Sequence, residues 1–247
     1  ATWANAEKAA VPDSEIMDRS LNRKFMSMVL YSDGTFERRA TFFPKKNGKH
    51  WSTTSGTWAK QSDGGFCLKR KGNYFHDKNS TRTFSEGSCF VIYRSNGGKL
   101  RVDMKHAGGG GFDGPFDVAA ANDNVHFPSA KALKTSGARA IPATAFLKAA
   151  QGKTFAVNQW LGLANFRPSG RNIFQVSDIT STSAVVVDAC KKTATAEMRV
   201  KGNSLCTKFE FKNLWANGCG TIWQDPKGRF YVVSDTSGFV YMGGQLQ

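Results

Sequence analysis

One segment of this chain occurs twice. The segment from Cys89 to Leu100 aligns without a gap with the segment from Cys219 to Phe230. Each begins with a cysteine, which is followed by an isoleucine and an aromatic residue. After the same number of further residues, each has a glycine, a basic residue and an apolar residue in a row. A strand, a glycine-bearing turn and the start of a second strand have this pattern. Repetition at one long period predicts two copies of a single structural unit.

The repeat divides the chain of 247 residues into two units that are each large enough to bury a core. We predict a first unit over 12–103, a Gly/Ala-rich linker over 104–140 and a second unit over 141–247. The linker is predicted from its low apolar periodicity and its glycine run. Apolar residues make up 40% of the chain, enough for ordinary cores, and no apolar run has the length of a membrane helix.

The order of helix and strand signals is similar in the two units. A short helix is predicted after Pro12 and another after Pro142. Short strands separated by turn residues follow in both, including a hairpin signal at Asp33-Gly34. The predicted fold class is therefore mainly β, with two tandem small antiparallel barrels or sandwiches, each preceded by a short helix. Closure into a barrel is favoured because it removes exposed strand edges.

The cysteines follow the same division. Cys67 and Cys89 lie in the first unit, and Cys206 and Cys219 lie in the second. Because the pairs are equivalent and stand on neighbouring predicted strands, we expect the disulfides Cys67–Cys89 and Cys206–Cys219, with four free thiols as the alternative. Cys190 is left over, as a buried thiol, a competitor for Cys206 or a bridge to another chain. Disulfides persist outside the reducing cytosol, so a periplasmic or secreted location is predicted.

The charge balance indicates anionic partners. The chain has 34 Lys and Arg against 19 Asp and Glu, a net charge of +15. A field of this sign concentrates anions near the surface. The basic residues are spread along the chain without a long run, so no basic tail is predicted, and a basic surface that serves only solubility is the alternative. Acidic polysaccharides and other anionic envelope components are the predicted partners, with nucleic acid not favoured.

Aromatic residues beside basic ones give the candidate binding site. Aromatic rings offer flat faces for stacking on sugars, and lysine or arginine neutralises carboxylate or phosphate. If the hairpins form as predicted, several such residues crowd one end of the first unit. The alternative is that the rings fill the barrel. The predicted binding residues are Lys45, Lys46, Trp51, Arg70, Lys71 and Tyr74.

Three motifs of the first unit also carry a resemblance. They are the Asp-Gly-Thr turn within 31–35, the Gly-Thr-Trp strand within 55–58, and the cysteines Cys67 and Cys89. Together they resemble a group of uncharacterised secreted domains of alphaproteobacteria, over residues 14–102. The resemblance implies a helix with a small calycin-like barrel and an exported setting. It implies no activity, because that family has no established catalytic residues.

No catalytic set is recognisable in the sequence. A Gly-x-Ser-x-Gly elbow is absent, the cysteine and histidine spacings are unsuited to zinc, and a pair of acids would have to come from isolated residues such as Glu37 and Glu86. We therefore predict no catalytic residues, no metal and no cofactor. The predicted function is a non-enzymatic periplasmic or secreted binding protein with a basic surface. The alternatives are an accessory or structural subunit that binds a protein partner, and a polysaccharide-acting enzyme.

Overall fold

The computed structural model divides the chain into two compact units, residues 1–126 and residues 127–247. Each unit is described by itself. The described residues are 9–23, 26–42, 50–62, 64–76, 80–95, 97–104, 116–121, 128–160, 174–188, 190–211, 214–236, 238 and 240–247.

The first unit has one short helix and nine strands among its described residues. They are β1 (Ala9–Ala10), α1 (Asp13–Ile16), β2 (Arg19–Arg23), β3 (Met26–Leu30), β4 (Thr35–Phe42), β5 (His50–Lys60), β6 (Phe66–His76), β7 (Ser80–Arg94), β8 (Leu100–Met104) and β9 (Asp117–Ala120).

The strands β2 to β8 of the first unit pair antiparallel with their sequence neighbours. The last strand, β9, returns to pair with β2. A single bridge between Leu100 and Phe116 joins β8 to the residue before β9, and the Phe116 amide donates to the Leu100 carbonyl at 3.0 Å. The sheet is thus a nearly closed barrel of eight strands, with β1 added along β7.

The second unit has two helices and nine strands among its described residues. They are α2 (Ala130–Thr135), β10 (Arg139–Ile141), α3 (Ala143–Ala150), β11 (Phe155–Trp160), β12 (Phe174–Ser177), β13 (Ser183–Asp188), β14 (Thr193–Lys201), β15 (Ser204–Phe211), β16 (Leu214–Gln224), β17 (Phe230–Ser234) and β18 (Val240–Leu246).

The second sheet closes fully. Strands β11 to β18 pair in sequence order, and β18 pairs with β11 from Phe155 opposite Leu246 to Trp160 opposite Met242. The backbones of Thr154 and Gln247 extend this seam with two hydrogen bonds of 3.0 and 2.8 Å. The sequence left a choice between barrel and sandwich for both units, and both are barrels or nearly closed barrels.

The seam depends on a residue without a side chain. A Cβ atom on Gly244 would lie 2.1 Å from the backbone oxygen of Ala156 on the facing strand β11. Because real Cβ atoms do not approach other atoms so closely, any other residue would push β18 away from β11. The close backbone approach that closes this barrel therefore requires glycine.

Each barrel is filled by its own apolar side chains, with the helix that follows the proline contributing one large residue. Ile16 of α1 belongs to the first core and is fully buried. Phe146 of α3 belongs to the second core, where its ring packs edge-on against Phe155 at 5.6 Å and Phe230 at 5.3 Å between centroids. The predicted short helix before each barrel is confirmed.

The outer side of the second barrel carries a second apolar cluster. On β17, Phe230 and Val232 point into the core. The residues next to them, Tyr231 and Val233, are nevertheless also buried, in a separate cluster that includes Val240 of β18. Alternation along a strand puts this second pair on the outer face. They are covered by α2, whose Leu133 is fully buried in the same cluster.

The two occurrences of the repeated segment form equivalent hairpins. In the first, the Ser95 amide donates to the Lys99 carbonyl at 3.0 Å, and in the second the Asp225 amide donates to the Arg229 carbonyl at 3.0 Å. The glycine before each basic residue has a left-handed φ, +73° at Gly98 and +76° at 228. Both cysteines pair in register with the cysteine of the preceding strand. The shared sequence pattern thus corresponds to a shared local structure.

The buried carboxylate of Asp225 holds the second of these turns. It accepts hydrogen bonds from the backbone amides of Lys227 and Arg229, both at 2.9 Å, from Arg229 Nε at 2.6 Å and from the Tyr231 hydroxyl at 3.2 Å. Asp225 is only 5% exposed, so this set of donors replaces the water that the charge loses on burial.

Two features differ from the sequence prediction. Residues 104–140 were expected to be a linker, yet β9 pairs with β2, β10 pairs with β16, and α2 packs on the second sheet. These stretches are therefore parts of the two units. Residues 50–60 form one continuous strand, where the Gly-Thr-Trp strand was expected to begin separately at Ser55 after a shorter strand over 50–54. Among the described residues, no helix has the length and apolar character needed to cross a membrane.

Candidate ligand-binding surface

Both expected disulfides are present. Cys67 is bonded to Cys89, and Cys206 to Cys219, in each case between residues that face each other across adjacent strands. The sequence neighbours of Cys67, Phe66 and Leu68, point into the first core. Alternation therefore places this disulfide on the outer face of its barrel. It joins β6 to β7 there and takes no space in the interior.

The same holds in the second barrel, where the disulfide lies beside a row of charged residues. Arg199 is directly opposite Cys206, and Lys201 and Lys208 lie two positions away on β14 and β15. All three cationic residues are exposed. Lys201 is about 7 Å along β14 from Arg199, because two residues of a strand span about 7 Å. Lys208 lies about 8 Å from Arg199 on the diagonal between the two strands. We call Arg199, Lys201 and Lys208 the outer basic face.

One carboxylate lies within the outer basic face. Glu197 is opposite Lys208, with 3.8 Å between its carboxylate oxygen and Lys208 Nζ. Both side chains are largely exposed, 76% and 68%, so this ion pair holds neither group firmly. Arg199 and Lys201 make no ion pair with any described residue. The face therefore keeps a net positive charge available to a ligand.

The surface across β14, β15 and β16 is also concave. A depression of about 480 Å³ is lined by eight residues, namely Glu197, Met198, Arg199, Cys206, Thr207, Lys208, Gly218 and Cys219. Most of the lining side chains belong to the outer face. A depression of this size accommodates one or two sugar residues, and cations at its rim would neutralise carboxylate or phosphate groups.

The first barrel presents one matching cation. Lys69 follows Cys67 by two residues, as Lys208 follows Cys206, and it is exposed. Both lysines thus lie on an outer face next to the disulfide of their own unit. The sequence contained this signal in Phe66-Cys67-Leu68-Lys69 and its counterpart, but Arg199 and Lys201 were missed because they belong to no shared motif.

The binding residues predicted from the sequence fall in the first unit. Lys45 and Lys46 lie outside the described residues. The backbones of the other four belong to adjacent strands, with Trp51 on β5 and Arg70, Lys71 and Tyr74 on β6. Tyr74 is paired with Ser52 and the others lie within the same ladder. The strands that carry them are therefore neighbours, and their role in binding stays a prediction.

Glu37, which was considered as an isolated acid, is part of a buried polar group in the first barrel. Its Oε2 accepts a hydrogen bond from the Tyr31 hydroxyl at 2.8 Å and lies 3.4 Å from Arg39 Nη2. Arg39 is only 4% exposed. Burial lowers the pKa of its guanidinium, and the Glu37 carboxylate acts in the opposite direction. This carboxylate is thus engaged in neutralising a buried cation.

A second buried polar contact lies inside the other barrel. The Tyr241 and Thr207 hydroxyl oxygens are 3.5 Å apart, and the Tyr241 ring lies where Gly220 has no side chain. Burial raises the pKa of the Tyr241 hydroxyl to about 12. The ring occupies interior volume, so it limits the room for an apolar ligand inside the barrel.

Two further expectations concern cysteine and metal. Cys190 was expected to be buried, but it is a free cysteine exposed in the turn between β13 and β14, where its amide donates to Asp188 Oδ1 at 2.8 Å. That prediction was wrong because a hairpin tip leaves a short side chain in solvent. The described residues include no group of three or more His, Cys, Asp or Glu side chains placed to hold a metal.

Comparison with protein-family models, with curated proteins and with solved structures finds no match to this chain. What the protein does must therefore be inferred from the charge and geometry of the described residues.

Proposed function

We propose that this protein is a non-enzymatic binding protein of the periplasm or the extracellular space, which holds an acidic polysaccharide or another anionic envelope component on a basic surface. The observation that carries the proposal is the outer basic face. Three exposed cations lie there, and two of them, Arg199 and Lys208, line a depression together with one weakly held carboxylate. The net charge of +15 supports it, because the whole chain attracts the polyanion before contact.

The form of the surface favours a polymer over a small ion. The cations are arranged along strands, a geometry that follows an extended chain of charged groups. Exposed ion pairs are worth about 0–1 kcal/mol each, so affinity would have to come from several contacts. Two modules, each with a lysine beside its outer disulfide, would add their contacts on one polymer through effective concentration. We propose on the same ground that the two units are copies of one ancestral unit.

The disulfides support an extracytoplasmic setting, since such bonds do not persist in a reducing cytosol. The resemblance to secreted alphaproteobacterial domains agrees with this proposal. Neither observation identifies the polymer.

The test is binding of the full chain to polygalacturonate, measured by isothermal titration at two salt concentrations. Raising the salt from about 0.01 M to about 0.1 M shortens the Debye length from about 30 Å to about 10 Å, and affinity should fall steeply. The double variant Arg199→Gln/Lys208→Gln should bind more weakly. The charge-matched control Lys99→Gln/Lys134→Gln, on exposed residues outside the outer basic face, should lose much less.

Two results would contradict the proposal. One is equal affinity for polygalacturonate and for its neutral methyl ester. The other is an equal loss in the double variant and in the control, because the outer basic face would then have no special part. Binding to a protein partner that is insensitive to salt would favour the accessory-subunit alternative.

A further inference from the structure

A larger cavity lies at the end of the second barrel where α3 packs. It has a volume of about 670 Å³ and is lined by two stretches, residues 147–154 and residues 177–181. The first stretch is the end of α3 and the turn that follows it, and the second is the connection from β12 to β13. We call this cavity the end cleft. It is separate from the outer basic face, because the two share no lining residue.

Two lysines of the end cleft are free to bind an anion. Lys148 and Lys153 are both exposed, and neither side chain makes an ion pair or hydrogen bond with a described residue. Arg229, in contrast, is held by the buried carboxylate of Asp225. Lysines that line a cavity without an acidic partner provide a site for a carboxylate or phosphate group.

The opposite side of the end cleft offers hydrogen-bond acceptors and an apolar wall. Asp178 is exposed, and among the described residues its carboxylate accepts one hydrogen bond, from the Ser177 hydroxyl at 3.4 Å. Its remaining lone pairs are available to the hydroxyl groups of a ligand. Leu147 is partly buried against the core and Ile179 is buried in it, and both line the cavity, so part of its wall is apolar. A sugar ring has hydroxyls at its edge and C–H groups on its faces, and it matches this combination.

The backbone around the end cleft is fixed by local hydrogen bonds. The Lys153 amide donates to the Ala150 carbonyl at 3.0 Å, with Gly152 between them at φ +68°. On the other side, Asp178 has φ +49°, and Thr180 Oγ1 accepts from the Ser183 amide at 2.9 Å. Both walls are therefore ordered without a ligand, which lowers the entropic cost of binding.

The end cleft depends on a feature of the second unit. There, four residues separate the end of α3 at Ala150 from the start of β11 at Phe155, whereas α1 leads into β2 after only two residues. In the first unit Met17 already bridges to Leu30. The longer helix and turn supply Lys148 and Lys153, and the described part of the first unit has no counterpart of this wall.

From these observations we infer that the end cleft binds a single acidic sugar, with its carboxylate or phosphate at Lys148 and Lys153, its hydroxyls at Asp178, and one ring face against Leu147 and Ile179. This inference rests on the proposed function and extends it, since the outer basic face would hold the charge of the polymer while the end cleft reads one sugar residue.

The test is titration of the full chain with small probes, followed by NMR chemical shifts. The probes are galacturonate, glucose 6-phosphate, glucose and inorganic phosphate. Galacturonate or glucose 6-phosphate should shift the amides of residues 147–154 and 177–181, and the stronger of the two identifies the anion. Glucose and inorganic phosphate should each bind more weakly than the better acidic sugar. If no probe shifts these amides, the inference is wrong.

Variants make the test specific. Lys148→Gln/Lys153→Gln should weaken binding of the acidic sugar roughly tenfold or more, the effect of losing charge-assisted hydrogen bonds. Asp178→Asn, which tolerates the left-handed backbone, should weaken binding of the sugar but not of inorganic phosphate. An equal loss in Lys99→Gln/Lys134→Gln would overturn the inference.

The two proposals fail differently. In one case the chain binds the polymer, but galacturonate and glucose 6-phosphate cause no change at the end cleft. This result would contradict the inference about the end cleft and support the role of the outer basic face. The opposite result has two parts: the unmodified chain does not bind polygalacturonate, and the variant Arg199→Gln/Lys208→Gln still binds the acidic sugar at the end cleft. That result would support the end cleft and contradict the polymer-binding function. The thermal unfolding curve of each variant should match that of the unmodified chain, because every substituted side chain is exposed.

Discussion

Truncation of Phe146 to alanine should destabilise the end of the second barrel more than any substitution on the surface. The side chain is 3% exposed and lies between the rings of Phe155 and Phe230. Phe→Ala substitutions in cores cost about 3–5 kcal/mol, and each edge-on aromatic pair contributes about 0.5–1.5 kcal/mol within that total. Because α3 has only eight residues and can shift into the space that the ring leaves, we expect Phe146→Ala to lower the free energy of unfolding by about 3–4 kcal/mol.

Phe146→Leu separates the two contributions. Leucine keeps most of the apolar contact and loses the ring geometry, so the expected cost is about 1–1.5 kcal/mol. The measurement is native-state hydrogen exchange of the β11 and β17 amides, supported by urea unfolding. Protection of these strands should fall in the order unmodified chain, Leu variant, Ala variant. A loss below about 1 kcal/mol in Phe146→Ala would refute the role of α3 as the apolar cover of this barrel end.

Two further outcomes can be checked by unfolding measurements. Replacing Cys206 and Cys219 by alanine opens a disulfide loop with a sequence separation of 13. Loop-closure entropy predicts that the free energy of unfolding falls by about 3 kcal/mol, measured from the urea midpoint. The control is Cys190→Ala at the exposed thiol, which should change the midpoint little. A midpoint that stays the same without the disulfide would contradict this. The pKa of Tyr241 is raised to about 12, against about 10 in an unfolded chain, so the unfolded state releases this proton first as the pH rises. The contribution of the protonated Tyr241 to stability is therefore complete below about pH 10 and is lost between about pH 10 and 12. Tyr241→Phe should flatten the unfolding profile over that range, and an unchanged pH dependence in this variant would argue against a buried hydroxyl.

The local features of the fold could be predicted from the sequence because their causes are local. Asp33-Gly34 gives a turn in which Gly34 has φ +80° and the Thr35 amide donates to Asp33. The equivalent cysteines indicated the disulfides because both pairs stand on hairpin strands. Pro12 and Pro142 each precede a helix, as expected of a residue with fixed φ.

The long-range features had no such signal. Strand β9 has only four residues, and its partner β2 lies nearly a hundred positions earlier. Its place in the sheet follows from closure of the barrel, which no local pattern encodes. A separate strand was expected to begin at Ser55, but Gly56 pairs with both Phe36 and Arg70 inside a long strand. Tertiary pairing overrides the local propensity there.

The candidate sites were missed for a related reason. The end cleft brings Lys148 and Lys153 together with Asp178, which is 25 positions beyond Lys153 in the sequence. Lysines and hydroxyl residues on two separate turns form no motif. The outer basic face was equally hidden, because Arg199 becomes a neighbour of Lys208 only through the register of β14 and β15.

The seam between β11 and β18 also decides when the second barrel can form. Phe155 pairs with Leu246, so a nascent chain that has left the ribosome only as far as β17 still has two unpaired edges. Contacts between such distant positions form slowly, and until then the edges of β11 and β17 are exposed to other chains. A polypeptide with this topology completes its ring of strands only when its last strand is available, so a chain without β18 would keep an open sheet.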